Sequence, residues 1–160
     1  MGVVGSPDGL RRVILPQESR EAVIGQLRDL GLPFEGGDCT DFGDLTDRLK
    51  RYLDGEQVDF LDKLDLAGTT TFQQDVWRIT RAIPYGETRS YAWVAGQLGL
   101  PNAARAVGQA LGRNPLPIVT PCHRVIGSDG GLVGFGGGVE MKKCLLRLEA
   151  NGQANSSLRS

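Results

Sequence analysis

At 160 residues the chain has room for one compact domain, or for two small ones sharing an interface, and for a real hydrophobic core. With 40% hydrophobic and 23% charged residues, and no apolar run near the ~18 residues that cross a bilayer, it reads as a soluble globular protein without a membrane role. The formal charge of −1 hides an asymmetry, because residues 1–70 carry 8 Lys+Arg against 14 Asp+Glu while residues 71–150 carry 9 against 5. The second half is therefore the candidate for a polyanionic partner, although many ordinary solvated faces share this balance.

Three cysteines, Cys39, Cys122 and Cys144, are too few and too irregularly spaced for a disulfide framework. With His123 as the only histidine, no close-paired zinc ligand set exists either, so neither metal nor cofactor is expected. Met1 to Leu15 lacks the charged start, apolar centre and cleavage site of a secretory signal. The expectation is an intracellular protein, cytoplasmic or nuclear.

In chain order, Val3 to Leu15 alternates around a Ser6-Pro7-Asp8-Gly9 turn and predicts a hairpin. Glu18 to Leu30 places Ala22, Val23, Leu27 and Leu30 at helical spacing before the stop signals Gly31 and Pro33. After a polar, glycine-rich loop from Glu35 to Gly43, Asp44 to Leu53 repeats the helical pattern with Leu45, Leu49, Tyr52 and Leu53. A boundary falls near Leu66, where the small residues Ala67 to Thr71 join the acidic half to the basic one.

Thr71 is the expected N-cap of a helix from Phe72 to Ala82, with Val76, Trp77, Ile79, Thr80 and Ile83 as its buried stripe and Pro84 as its stop. Tyr91 to Leu98 follows Ser90, then a break at Gly99-Leu100-Pro101-Asn102, then a second helix from Ala103 to Leu111 opened by Asn102 as cap. Two short helices around a tight turn make a helix-turn-helix pattern, which serves DNA binding in some proteins and plain packing in others. The second helix is built from small residues, Ala103, Ala104, Ala106, Gly108 and Ala110, around one long cation, Arg105. Small side chains suit close helix packing, and they equally suit approach to a DNA groove with Arg105 as the probe.

The chemistry concentrates around Cys122. Pro115, Pro117 and Pro121 stiffen the approach to it, which suits a positioned nucleophile. A free thiol with a pKa of ~8.5 is only slightly ionised at neutral pH, so a nucleophilic one needs a base or cation, for which His123 and Arg124 are nearest in sequence. A Cys-His dipeptide equally fits a buried small side chain beside a surface histidine. Cys144, beside Leu145, Leu146 and Leu148, is expected in the core, and Cys39 in a polar loop is expected to be incidental. The tract Gly127 to Gly138 holds seven glycines in twelve residues without a phosphate-loop ending. Such a tract is a mobile loop or a backbone surface for a ligand, on which Phe135 offers a ring for a planar base.

Taken in order, Gly68-Thr69, Phe72-Gln73, Val76-Trp77, Ile83-Pro84-Tyr85-Gly86-Glu87-Thr88, Ser90-Tyr91, Ala103-Ala104-Arg105-Ala106-Val107-Gly108, Asn114-Pro115, Pro121-Cys122-His123-Arg124-Val125, and Lys142 with Leu145-Leu146 before Glu149 form a consistent set. The stretch from about Tyr52 to Glu149 resembles the O6-alkylguanine-DNA alkyltransferases, also called methylated-DNA-protein-cysteine methyltransferases.

The resemblance implies DNA repair by direct reversal, with the alkyl group of O6-alkylguanine in double-stranded DNA moved to Cys122 in one turnover. By the same resemblance, His123 is the base acting through a water, Glu149 orients its imidazole, Asn114 braces the active-site turn, and Tyr91 donates its phenol proton to the guanine ring. The backbone N–H of Gly136 faces O6, carbonyls near Cys122 and Val125 read the guanine amino group, and Phe135 stacks where the family commonly has tyrosine. Arg105 replaces the extruded nucleotide in the base stack, with Ala103, Ala104, Ala106 and Gly108 letting the helix sit in the minor groove.

The implied architecture is an α/β N-terminal domain over residues 1–66, a small antiparallel sheet with helices, followed by a mainly helical C-terminal domain over 67–150 with a helix-turn-helix. Residues 151–160 are expected as a flexible tail and the protein as a monomer. The N-terminal part matches the family more weakly, and it lacks the cysteine and histidine set that binds zinc in some relatives. Two other readings compete: a damage-binding module without chemistry, which in a sister group has tryptophan in place of the cysteine, and a cysteine hydrolase using the same Cys, His and acid.

Overall fold

The computed structural model describes residues 1–32 and 42–159. The Pro33 stop, Cys39 and most of the expected Glu35–Gly43 loop lie outside the described residues.

Strands β1 (Gly2–Ser6) and β2 (Gly9–Ile14) form the expected antiparallel hairpin, with an irregularity between Val4 and Gly5. Gly9 closes the turn at a φ of 144°, and a Cβ there would collide with the Lys63 carbonyl, so glycine is required twice over. Helix α1 (Arg20–Asp29) starts at Ser19, whose hydroxyl accepts the Ala22 N–H. It buries Val23 and Leu27 against Ile14, whereas Ala22 and Leu30 of the expected stripe are exposed. With only a two-stranded hairpin to cover it, one narrow edge of α1 suffices. Helix α2 (Leu45–Leu53) buries Leu45, Leu49 and Tyr52. Arg48 ties it to the following segment through a bidentate pair with Asp62 at 2.7 and 2.9 Å.

Helix α3 (Thr71–Arg81) is capped one residue earlier than expected. Thr70, and not Thr71, accepts the Gln73 N–H while the Gln73 side chain returns to the Thr70 N–H, a reciprocal capping box. Gln73 sits three residues after Thr70, which is the spacing that selects the cap. The predicted stripe is buried, and Thr80 satisfies its hydroxyl on the Val76 carbonyl at 2.8 Å. After β3 (Arg89–Ser90), Ser90 caps α4 (Tyr91–Gln97) on the Trp93 N–H. Helix α5 (Ala104–Gly112) begins one residue later than expected, and Asn102 does not cap it. Ala103 occupies the N-cap position and offers no side-chain acceptor. Helices α3, α4 and α5 pack on one another, and the Trp77 indole fixes α3 to α5 by donating to the Ala110 carbonyl at 3.0 Å.

A 3₁₀ turn over Cys122–Arg124 leads into β4 (Val125–Ile126), which pairs in parallel with β3 through Arg89 with Val125 and Ser90 with Ile126. This small parallel pair sets the reactive turn beside the start of α4. Helix α6 runs Val139–Arg159, so the segment expected as a tail from residue 151 continues as helix. Its extension is anchored: Gln153 donates to the Tyr85 carbonyl at 2.9 Å, and Gly152 lies where a Cβ would strike the Tyr85 hydroxyl and the Gly55 carbonyl. On α6, Lys142, Leu145 and Glu149 share the inward face, while Cys144 is exposed and not in the core as expected. Adjacent leucines do not decide which face a residue occupies; the 3.6-residue period does.

The molecule is thus α/β, with six helices and one small antiparallel sheet among the described residues. One buried cluster joins Leu10, Leu45, Leu49 and Tyr52 to Tyr85, Leu116, Ile118 and Leu145, so the acidic and basic halves share a core. Leu66 packs against this cluster and against that of α3–α5. Among the described residues no helix is long and apolar enough to cross a membrane.

Candidate active site

The turn from Asn114 to Cys122 is wound around one side chain. Asn114 Nδ2 donates to the Thr120 carbonyl at 2.9 Å and to Cys122 Sγ at 3.2 Å, and its Oδ1 accepts the Leu116 N–H at 2.9 Å. Between these anchors Ile118 takes a φ of 74°, a left-handed conformation that a β-branched residue rarely adopts. The strain is held by burial, since Leu116, Ile118 and Val119 are all core residues.

Beside the thiol lies a buried polar cluster. His123 and Glu149 are both fully buried, with Nε2 2.7 Å from Oε1. Tyr52 donates to the same carboxylate oxygen at 2.6 Å and lies 3.1 Å from His123 Nε2. Arg124 donates to Glu149 from Nε and from its second guanidinium nitrogen at 3.0 and 2.9 Å, and to the Ile83 carbonyl at 2.7 Å, while the Gly86 N–H donates to Oε2 at 3.0 Å. Glu149 gathers four donor residues from three separate parts of the chain. Burial alone would raise its pKa, but the hydrogen bonds from His123 and Arg124 outweigh it and hold the carboxyl at about 2. Burial pushes the His123 pKa down despite Glu149, so the imidazole is neutral at physiological pH. With Nε2 facing a carboxylate, its proton belongs on Nε2. Among the described residues His123 Nδ1 is the one buried side-chain nitrogen or oxygen without a protein partner.

Burial also raises the Cys122 pKa, opposed by the Asn114 hydrogen bond and by the positive charge of Lys142. Arg124, a cation candidate on sequence grounds, is committed to Glu149 and Ile83; Lys142 is the cation that acts on the thiol. Lys142 is buried, and its ammonium donates to the Val125 carbonyl at 2.6 Å, to the Val133 carbonyl at 3.2 Å and to the Tyr91 hydroxyl at 3.3 Å. Tyr91 gives its own proton to the Val133 carbonyl at 2.7 Å, and burial keeps its phenol from ionising by raising the pKa. Lys142 and Tyr91 therefore pin the glycine-rich loop at Val133.

Two openings meet at this loop. Cys122, Asn114, Leu15, Phe135 and Gly136 line a cavity of about 400 Å³. Tyr91, Ala104, Arg105, Gly108, Phe135 and Gly136 line a neighbouring groove of about 620 Å³. Gly112, Phe135 and Gly136 belong to both, forming a common wall. Arg105 is exposed, whereas Ala103 packs against the α3–α5 cluster and Ala106 is half-buried outside the groove lining. Val125 is fully buried with its carbonyl already engaged by Lys142.

The structure thus joins Cys122 to Asn114 by one hydrogen bond and His123 to Glu149 by another, with Cys122 and His123 adjacent in the same turn, and sets Tyr91, Arg105, Phe135 and Gly136 around the adjoining groove. Sequence reasoning gave no site role to Tyr52, Arg124's carboxylate contact or Lys142. For Lys142 a signal existed: a lysine in helical phase with Leu145 and Glu149 must either be exposed with them or be paired inside.

Fold and site together define a class: an α/β protein that sets one cysteine, backed by a buried histidine–carboxylate pair, beside a groove lined by a helix of small residues. Residues 71–151 match the family described as 6-O-methylguanine DNA methyltransferase, DNA binding domain. The methylated-DNA–protein-cysteine methyltransferase of Mycobacterium tuberculosis H37Rv is 55% identical over 108 residues, covering 68% of this chain and 65% of that protein. The match therefore spans just under two thirds of that relative's length. The protein of the same name from Mycolicibacterium paratuberculosis is 45% identical over 152 residues, 91% of this chain and 89% of that one. Among solved structures, M. tuberculosis OGT in complex with DNA superposes with a TM-score of 0.73 at 42% identity, covering 94% of this chain and 86% of that chain. The O6-methylguanine-DNA methyltransferase of Pyrococcus kodakaraensis KOD1 superposes at 0.63 with 30% identity over 82% and 80%. The chain belongs to the methylated-DNA–protein-cysteine methyltransferase family.

Proposed function

We propose that this protein repairs O6-alkylguanine in double-stranded DNA by accepting the alkyl group on Cys122, once per molecule. One observation carries this reading above the others: Cys122 lines a cavity whose Phe135–Gly136 wall is also the wall of the groove that holds Arg105 and Tyr91. A base turned out of a duplex lying along α5 has a short path to the thiol.

In this reading the thiol rests protonated, which burial favours. A water carries its proton to His123 Nδ1, the nitrogen left available because Nε2 is held by Glu149. The sulfur–carbon bond forms as the carbon–O6 bond breaks, and Tyr91, kept protonated by burial, turns its one proton from the Val133 carbonyl to the ring as negative charge develops there. Gly136 offers its N–H to O6 and Phe135 stacks on the base. Asn114 holds the thiolate by the same Nδ2 that touches Sγ here. Recognition of the amino group by the Val125 carbonyl requires that oxygen to serve Lys142 and guanine together, one through each lone pair.

Helices α4 and α5 act as a helix-turn-helix that enters the minor groove, with Arg105 filling the space of the extruded nucleotide. Ala104 and Gly108 give the close approach, with Ala103 and Ala106 keeping the same face small. Flipping costs a few kcal/mol, which Arg105 partly offsets. Residues 1–66 and 67–150 act as two units sharing one core, and the protein works as a monomer.

The test is intact mass before and after incubation with a duplex containing O6-methylguanine, followed by peptide mapping. The expected result is a gain of one methyl group, located on Cys122, after which activity stops, because a thioether is a poor leaving group. Repeated turnover, or label on Cys39 or Cys144, contradicts the reading.

A further inference from the structure

The hydroxyl of Tyr52 lies inside the polar cluster that backs the thiol, although Tyr52 belongs to α2, in the acidic half of the chain. It is fully buried, donates to Glu149 Oε1 at 2.6 Å and stands 3.1 Å from His123 Nε2. Its ring is wedged edge-on between Phe60 and Tyr85, at centroid distances of 6.0 and 6.1 Å, so the hydroxyl has little freedom to turn away. A phenol has one proton. The shorter contact takes it, so the proton goes to Glu149 and the oxygen's lone pair faces Nε2–H. His123 Nε2 is thereby held between two acceptors, Oε1 and the Tyr52 oxygen. This arrangement fixes the ring proton on Nε2 and leaves Nδ1 bare.

We propose that Tyr52 is a positioning residue for the reaction: its hydroxyl locks Glu149 and His123 in the geometry that presents Nδ1 as the proton acceptor, which makes the N-terminal part of the chain a component of the reactive site. The inference rests on the alkyl-transfer reading above for its effect on rate, but the lock itself is a property of the resting protein. No water replaces the lost group in Tyr52→Phe without opening the core. Glu149 Oε1 then has one donor fewer and binds the Nε2 proton more tightly, so the imidazole becomes more basic.

His123 is the only histidine of the chain, so one set of imidazole signals reports on it without assignment. The experiment compares wild type, Tyr52→Phe and Tyr85→Phe by ¹H–¹⁵N spectra of the imidazole and by the pH profile of single-turnover methyl transfer from duplex DNA. Tyr85→Phe is the control for packing, since that ring also lies in the shared core while its hydroxyl contacts the Gly55 carbonyl and not the relay.

Tyr52→Phe is expected to shift the Nε2–H resonance, to slow transfer about tenfold, and to move the acid limb of the profile upward by about half a pH unit. Tyr85→Phe is expected to leave the imidazole spectrum and the acid limb in place. An imidazole spectrum unchanged by Tyr52→Phe overturns the proposal even where the rate falls, because the loss is then one of packing. Equal spectral shifts in both variants overturn it as well. Failure of the wild type to accept a methyl group removes the alkyl-transfer reading but leaves the spectral comparison to decide whether Tyr52 locks the pair.

Discussion

The cluster behind Cys122 and the groove in front of it obey opposite rules. Tyr52, His123, Arg124 and Glu149 are buried, and their donors and acceptors are nearly all matched within the protein. Arg105, Val133 and Gly136 are exposed, and the loop that carries two of them is pinned at Val133 by Lys142 and Tyr91. A proton relay works in low dielectric with fixed geometry, while a surface that admits a bent duplex must stay open. Changes behind the thiol are expected to act on chemistry and stability together, and a change at the exposed Arg105 to act on access to the duplex alone.

Removing one member of the buried cluster is expected to have the largest effect. Glu149→Gln is expected to slow methyl transfer ~100-fold or more, and to destabilise the fold by ~3 to 5 kcal/mol because the Arg124 charge loses its buried partner. His123→Phe is expected to match it in rate while affinity for duplex DNA stays near wild type. Single-turnover kinetics, urea unfolding and a binding titration on the same samples check all three. A rate loss without a stability loss in Glu149→Gln would show that the carboxylate serves chemistry without holding the fold.

Arg105→Ala probes the other region. Transfer from duplex DNA is expected to slow by a factor equivalent to ~1 to 3 kcal/mol, with unfolding unaffected, because the extruded state loses its replacement for base stacking. A free O6-alkylated guanine base needs no flipping, so its reaction with Cys122 should stay close to wild type. Equal losses on both substrates would place Arg105 in support of the pocket.

Acid separates the regions more gently. The folded pKa of Glu149, about 2, lies below the ordinary carboxyl value, so its stabilisation is present above pH ~4.3 and is lost as the pH falls toward 2. The folded pKa of His123 is also depressed, so below pH ~6.5 the unfolded chain binds that proton first and stability falls again. Unfolding free energy should therefore decline in two stages on acidification, the first beginning below pH ~6.5 as the unfolded chain takes up the histidine proton and the second below pH ~4.3 as Glu149 is protonated. Glu149→Gln should flatten the lower stage.

The smallest effect expected is Thr70→Ala, which removes half of the α3 capping box and should cost about 1 kcal/mol with no change in transfer rate. Urea midpoints of the two proteins suffice to measure it.

Much of this molecule could be read from local pattern. The hairpin and the stripes of α2 and α3 follow from spacing, and the ordered motifs from Phe72 to Glu149 carried the family. What could not be read were partnerships across the chain. Tyr52 looks like one more apolar position beside Leu49, because nothing near it in sequence shows that its hydroxyl meets a carboxylate 97 residues away. Arg124 looks like a cation for its neighbour Cys122, yet the backbone turn sends it to Glu149. Cys144 illustrates the limit within a single helix, where leucine neighbours suggested burial and the helical period placed the thiol outside.

The position of Glu149 along the chain also orders events during synthesis. A nascent chain delivers Tyr52, Gly86, Asn114 and Cys122 first, and the carboxylate that joins Tyr52, Gly86, His123 and Arg124 arrives only with α6. Until α6 is made, His123 lacks its carboxylate partner and the thiol lacks the Lys142 charge. On the alkyl-transfer reading, the relay behind Cys122 is therefore complete only once the last helix has been added.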